Sequence, residues 1–453
     1  MKPAQTRKGF ARLVAASLAG TTIEFYDFFL YGTAAALVFN KVFFPAGDPL
    51  TGILMALGTY AVGFVARPVG GIVFGHLGDR WGRRNTLALS LLLMGAATVG
   101  IGLIPSYETI GIAAPILLTV LRLVQGLALG GEWGGAVLLV AEHGSDKHRG
   151  FWSSFPQTGG PIGNMIATLV LAVLGTVITN EQFVDWGWRV AFLLSAVLVF
   201  AGIWLRRSIE ESPLFLEMQA RAKARGTEGH APIKTVLREY RREVALAAMA
   251  NVGEKATYYT FSIFLLTYLT QQVQVSRSVA LTAVSIASVP QILAMLAGGT
   301  LSDRFGRQGL NILLGVLVAL WGFLGLPLVD TGNSALITVV IVVGLTLHGL
   351  MCGGQVAFYA EIFPSHVRYT GASLGYQLAT VIGGSLAPII GVALLRHYGS
   401  TTPVAIFLAL CAASTVLAFV LAGETRHRSL RHAHAEPTPA PEQERADTEV
   451  QPG

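Results

Sequence analysis

At 453 residues the chain could hold several soluble domains, yet 53% of it is hydrophobic and only 13% is charged, against roughly 25% charged residues in soluble domains. The net charge of +6 lies in short clusters between apolar runs, a distribution that excludes a nucleic-acid binder. Two cysteines exclude a disulfide framework; Cys352 and Cys411 both fall in apolar segments and read as small hydrophobic residues.

The apolar runs are about twenty residues long, the length that crosses a bilayer core. The first follows Lys2, Arg7, Lys8 and Arg12, a charged start like that of a signal peptide. Glu24 and Asp27 interrupt it and no small-residue cleavage site follows, so it reads as a retained helix. In chain order the pattern predicts helices over 13–39, 51–75, 86–104, 112–140, 150–178 and 188–206. A second set is predicted over 244–271, 278–301, 310–328, 334–358, 367–395 and 403–422. Glycine is abundant, at 52 residues, and in membranes small residues let helices approach closely. The expected fold is therefore an all-α membrane protein of twelve transmembrane helices in two six-helix pseudo-repeats. Its parts are a cytoplasmic N-terminal tail (1–12), bundles over 13–206 and 244–422, a cytoplasmic linker (207–243) and a disordered cytoplasmic tail (423–453). His427, His432 and His434 read as part of that solvated tail rather than as a metal tract. With the N-terminus inside, cytoplasmic segments carry 25 of the 32 Lys and Arg residues, and only Lys41, Arg189, Arg277 and Arg396 fall on the other side. That asymmetry predicts a multi-pass protein with both termini in the cytoplasm.

The connection after the second span reads Gly75-His76-Leu77-Gly78-Asp79-Arg80-Trp81-Gly82-Arg83-Arg84. The connection after the eighth reads Gly299-Thr300-Leu301-Ser302-Asp303-Arg304-Phe305-Gly306-Arg307-Gln308, identical at six of ten positions with an offset of 224. A second echo joins Gly130-Gly131-Glu132 to Gly353-Gly354-Gln355, and Ala141-Glu142 with Arg149 to Ala360-Glu361 with Arg368. Duplication of a six-helix unit explains both.

The paired G-x-L-x-D-R-x-G-R segments resemble the major facilitator superfamily. Several stretches are similar to its metabolite:proton symporter branch, which includes shikimate, 2-oxoglutarate and proline/betaine carriers. They are Ile23-Glu24-Phe25-Tyr26-Asp27-Phe28, Arg67-Pro68-Val69-Gly70-Gly71, Arg122-Leu123-Val124-Gln125-Gly126 running to Gly130-Gly131-Glu132-Trp133-Gly134-Gly135, Trp186-Gly187-Trp188-Arg189 and Glu211-Ser212-Pro213. The likeness spans residues 10–425. It implies a bacterial cytoplasmic-membrane carrier that moves small solutes with protons by alternating access. It also implies that Gly75, Asp79, Arg80, Gly82 and Arg83, with Gly299, Asp303, Arg304, Gly306 and Arg307, form gating loops that hold helix ends together on the cytoplasmic side.

Ionisable groups within a span are costly, roughly 2.5–3.5 kcal/mol each at a helix centre, so they are expected to face the bundle interior. Glu24, Asp27 and Tyr31, spaced i, i+3 and i+7, share one helix face. Arg122 occupies the place of an arginine that the resemblance associates with proton coupling. A carboxylate such as Asp27 paired with it would act as a proton switch: protonation cancels the ion pair and frees the guanidinium for an anionic substrate. Gln125 and Glu132 lie seven residues apart and can line the same cavity. In the second half Glu254, Lys255, Tyr258 and Gln355 are the cavity candidates, while His348 reads as a satisfied buried histidine and Arg67 as a structural interface residue, with substrate contact the alternative.

The sequence thus points to proton-coupled uptake of a small organic acid or zwitterion. The partners are substrate, protons and the bilayer, with no nucleic acid; the chain acts as a monomer, and the proton gradient is the energy source with no cofactor or metal. No ATP-binding loop, redox ligand set or nucleophile–base pair at recognisable spacing is found, so an enzyme is not expected. An exporter of the same fold and a non-transporting nutrient sensor are the alternatives.

Overall fold

The computed structural model describes residues 7–45, 48–81, 83–130, 140–141, 146–207, 233–364 and 367–428. Among them there is no strand, and twelve long helical segments follow one another. The first half comprises α1 (Arg7–Leu37), α2 (Pro49–Trp81), α3 (Arg83–Leu103), α4 (Ala113–Gly130), α5 (Arg149–Val177) and α6 (180–207). The second comprises α7 (241–271), α8 (Arg277–Phe305), α9 (Arg307–Gly325), α10 (Ser334–Ile362), α11 (Arg368–Tyr398) and α12 (Thr402–Ala422). Nine helices among the described residues are long and apolar enough to cross a membrane, and Ala88–Leu103 is a shorter apolar one. α1 and α7 are outside that set; they carry Glu24 with Asp27 and Glu254 with Lys255.

Several helices run past their apolar stretch. α2 ends at Trp81 and α8 at Phe305, because a helix leaving the hydrocarbon continues while its backbone is satisfied. The second motif copy is therefore not a loop. Gly299 to Phe305 form the last turns of α8, only Gly306 breaks the helix with a φ of +97°, and Arg307 opens α9. That φ lies in the region where L side chains are strained. α6 begins at Asn180 rather than 188, since Thr179 and Gln182 form a capping box. α1 begins at Arg7, inside the stretch expected to be a tail, and Ile233–Glu239 is helical within the expected linker. The tail is structured as far as Arg428, held by contacts given below; residues 429–453 lie outside the described residues.

Within each half the close pairs interlock through glycine. A methyl group at Gly126 would overlap the Gly63 carbonyl, and one at Gly130 the Arg67 carbonyl, so α2 and α4 touch backbone to backbone. The same device joins α8 and α10, where Gly298 faces the Leu350 carbonyl and Gly353 the Met295 carbonyl. Such approach replaces the hydrophobic drive that lipid does not supply. Between halves, α5 packs on α8 and α2 on α11, while α1 meets α7.

Candidate functional site

From Tyr26 onward α1 is buried on every side, so residues along it meet different helices. Asp27 is fully buried and accepts a 2.5 Å hydrogen bond from the Ser195 hydroxyl of α6. Tyr31 turns to α2, where its hydroxyl bonds Thr59 at 2.6 Å. Glu24 is buried on the same helix. The expected Asp27–Arg122 ion pair is not formed. Arg122 donates to the Gln125 side chain (3.0 Å), which donates to the Thr98 hydroxyl (2.7 Å). Its guanidinium is instead sandwiched by rings, 4.3 Å from Phe28, 4.3 Å from Tyr31 and 4.6 Å from Tyr60. Gly63 makes the room, since a Cβ there would strike that guanidinium.

Arg67 belongs to the same cluster. Its guanidinium lies 4.1 Å from Phe28 and 4.6 Å from Phe64. Among the described residues, Nε and Nη2 of both Arg67 and Arg122 are buried without a hydrogen-bond partner. Glu132 lies outside the described residues.

In the second half, α7 supplies a buried ion pair between Lys255 Nζ and Glu254 (3.0 Å). Lys255 also donates to the Tyr376 hydroxyl of α11 (3.0 Å). His348 of α10 bridges Glu254 (2.6 Å) and Gln291 of α8 (2.7 Å). It is satisfied, as expected, but by an ionisable network. The Tyr258 ring sits beside the His348 ring, and its hydroxyl has no partner among the described residues. One turn further α7 carries a π-helical segment (Thr260–Phe264), and α11 carries another at Thr380–Ser385; such bulges often mark functional positions.

Beside this network lies a small polar cavity with room for about one water molecule, whose lining includes Gln157, Asn251, Glu254, Lys255, Cys352, Gln355 and Tyr376. Gln355 is 2% exposed, and neither atom of its amide is hydrogen-bonded among the described residues. Cys352 is not merely a small apolar filler: it faces the cavity and accepts from Gln157 of α5 at 3.7 Å. Ligand atoms of Glu254, His348 and Cys352 lie within 4.8 Å of one another, a spacing open to a metal ion. Lys255 already neutralises Glu254, however, and would meet a divalent cation as a like charge.

Gln125 and His348 occupy equivalent positions. The offset of 223 between Gly130 and Gly353 pairs them, and the offset of 224 pairs Arg67 with Gln291. The duplication that was legible in the motifs could thus have found Gln291 and raised His348. Asn251, Gln157 and Tyr376 had no signal in the sequence.

The halves join at both ends. At the end bearing the chain termini, Asp303 accepts from the backbone N–H groups of Gly150 and Phe151, each at 2.9 Å, capping α5. Glu361 accepts from Arg149 (3.0 Å), Arg307 (3.0 Å) and the Thr425 hydroxyl (2.7 Å). Arg307 also reaches Asp303 at 2.8 Å. Arg304 is exposed, and its carbonyl accepts from Arg426. Burial pushes the Glu424 carboxyl up, but the N–H groups of Arg307, Arg426, Gln308 and Thr425 outweigh it and hold the carboxyl below its ordinary range. For the first motif copy only backbone is described: Gly75, Asp79 and Arg80 fall in α2 and Arg83 in α3, with Gly82 outside the described residues. At the opposite end Asp48 pairs with Arg396 (3.1 Å), the Arg277 guanidinium lies 4.5 Å from the Phe183 ring, and Thr168 bonds Ser285 (2.8 Å).

This architecture has known counterparts. The family model for the Major Facilitator Superfamily matches residues 17–381 and 257–448. The inner membrane metabolite transport protein YhjE of Escherichia coli is 42% identical over 424 residues, covering 92% of this chain and 95% of its own. The shikimate transporter of the same organism is 38% identical, with coverage of 92% and 95%. Among solved structures, the E. coli xylose transporter XylE in a partially occluded inward-open conformation superposes with a TM-score of 0.71 at 19% identity, covering 93% of this chain and 99% of that one. That likeness shows the fold, and the sequence relatives are transporters rather than enzymes. With twelve helices in two interlocked halves around a buried polar centre, the chain belongs to the major facilitator superfamily and is a multi-pass inner-membrane transporter.

Proposed function

We propose that the chain takes up a small organic acid or zwitterionic metabolite with protons, by alternating access, as a monomer with both termini in the cytoplasm. The carrying observation is the pair of buried arginines, Arg67 and Arg122, with donors unpartnered among the described residues, in a bundle whose α1 buries the Asp27 carboxyl on Ser195. Buried cationic donors of this kind are satisfied by an anion. In this reading Asp27 carries the proton and Arg122 meets the anion. The Asp303 and Glu361 contacts form the cytoplasmic gate, and Asp48–Arg396 with Arg277–Phe183 form the external one. The conformation described has both closed, so substrate release requires one set to part.

Purified protein in liposomes is expected to accumulate a carboxylate when the outside is acidic and to lose accumulation when a protonophore collapses the gradient. Equal uptake with and without the gradient across a panel of carboxylates and betaines would rule out coupling. Orientation is tested separately: cysteines at Gly226 and Ser106 should react with impermeant maleimide from opposite sides of intact cells, Gly226 only after permeabilisation. Labelling of Gly226 from outside would invert the topology.

A further inference from the structure

The two ring nitrogens of His348 meet partners of different kinds. Nε2 lies 2.6 Å from Glu254 Oε1 on α7, and Nδ1 lies 2.7 Å from the amide nitrogen of Gln291 on α8. An ionised carboxylate only accepts, so Nε2 carries a proton and donates it. An amide does either: its NH2 group donates to a bare Nδ1, and its carbonyl, turned to the same place, accepts from Nδ1–H. Gln291 Oε1 has no partner among the described residues, so turning the amide over breaks no bond of that oxygen. The site thus holds the ring in one position with one proton or with two. The first half has no such group, since the equivalent Gln125 bonds Arg122 and Thr98 through an amide, which takes no proton.

Protonation changes the charge of a buried centre. Glu254 gives its other oxygen to Lys255 Nζ at 3.0 Å, and the two cancel while the ring is neutral. A second ring proton leaves one positive charge in excess, and the described groups around the ring do not balance it. α7 adds the Tyr258 ring, α10 the Cys352 thiol and, beyond Lys255, α11 the Tyr376 hydroxyl. α8 meets the ring through neutral Gln291, and α5 reaches Cys352 through neutral Gln157. The one ionisable side chain of α9, Arg307, is bound to Glu361 and Asp303. Unbalanced charge away from water is costly, so the protonated form favours a conformation in which water reaches the network.

The helices that clamp the ring also close the terminal end. α8 runs from Gln291 to Asp303, which caps α5, and α10 runs from His348 to Glu361, which binds Arg149 and Arg307. A rearrangement at the network is carried to those contacts by two continuous helices.

We propose that His348 is a proton-operated switch on the terminal gate. Hydronium gives its proton to Nδ1, the new N–H donates to the turned Gln291 carbonyl, and the excess charge loosens the contacts of Asp303 and Glu361. Return of the proton to water restores them. Gln291 is the positioning residue for the protonated ring. This rests on the reading of those contacts as the cytoplasmic gate of a proton-coupled carrier, and it leaves the coupled proton on Asp27.

The test reads the ring and the gate on the full chain in nanodiscs, between about pH 5 and 8, where an imidazole changes charge. Nitrogen NMR of protein labelled at histidine should show the His348 ring with one proton at the alkaline end and two at the acid end. His348→Gln, which puts the first half's amide in this place, identifies that signal by its loss. Gln291→Met keeps the bulk, removes the acceptor of Nδ1–H, and should hold the ring at one proton throughout. Deuterium exchange reads the gate at the Gly150 and Phe151 amides, which Asp303 binds. Compared at one pH, so that intrinsic rates cancel, the wild type should exchange there about tenfold faster than either variant at the acid end, and equally at the alkaline end. Melting temperatures check that the variants fold, and either one suffices for the comparison. A ring with one proton at every pH, or with two at every pH as a fixed ion pair with Glu254, would overturn the proposal. So would acid exchange equally fast in wild type and variants, or faster exchange in the variants at every pH, the mark of a merely structural contact. Liposome uptake keeps the two readings apart. A working switch without gradient-driven accumulation would defeat coupled transport alone, and coupled uptake with a ring that does not titrate would defeat this inference alone.

Discussion

Asp27→Asn is expected to reduce pH-gradient-driven accumulation to the level of passive leak while substrate exchange across the membrane survives. The amide keeps the shape of the carboxyl and can still bond Ser195, which holds Asp27 at 2.5 Å in the wild type. It cannot release a proton. If the neutral form of Asp27 is the one that passes between the inward and outward states without a counter-charge, the variant is fixed in that form and can shuttle substrate in both directions. What it loses is the return step that ties the cycle to the gradient. The measurement is uphill uptake beside counterflow in the same liposomes. Intact accumulation would remove Asp27 from the coupling path and move attention to Glu24, which is buried on the same helix, or to Glu132.

The second large effect concerns Glu361. This carboxylate is buried against Arg149 of the first half and Arg307 of the second, and takes a further bond from Thr425. Glu361→Gln leaves two buried guanidinium groups short of their shared counter-charge, a loss of about 3–5 kcal/mol for a buried pair. In the proposed cycle this contact parts when the terminal end opens, so the loss falls on the closed state and is expected to shift the balance toward opening by more than about a hundredfold. Cys352 provides the readout, because it is 7% exposed and lines the central cavity. Its alkylation by a maleimide should accelerate in Glu361→Gln, while Cys411, buried elsewhere in α12, should react as before. Unchanged Cys352 reactivity together with an unchanged melting temperature would show that Glu361 does not hold the gate.

Of the site, the sequence displayed the expensive residues. Asp27, Arg122, Glu254 and Lys255 stand out because each interrupts an apolar run, and the structure buries all four. It did not display their partners. Ser195 is 168 residues from Asp27, His348 is 94 from Glu254, and Cys352 is 195 from Gln157. Polar residues such as Ser195 and Gln157 do not disturb a hydropathy profile enough to mark them. The company of Arg67 was hidden for a related reason: its neighbours Pro68, Gly70 and Gly71 suggested helix packing, and the rings of Phe28 and Phe64 that receive it come from other turns and another helix.

The sequence by itself determined that the chain crosses a membrane, that it is a doubled six-helix unit, and which charged groups had to be sheltered. Each follows from local cost: a bilayer forbids unsatisfied backbone, so about twenty apolar residues become a helix, and charge within one becomes an interior group. Only the tertiary structure decided which groups meet. Asp27 binds a hydroxyl rather than Arg122, the guanidinium groups rest on aromatic rings with one edge unpaired among the described residues, and a tail residue, Thr425, completes the contacts of Glu361. Those pairings depend on the rotation and spacing of helices fixed by glycine contacts between chain-distant backbones, and no local pattern encodes them.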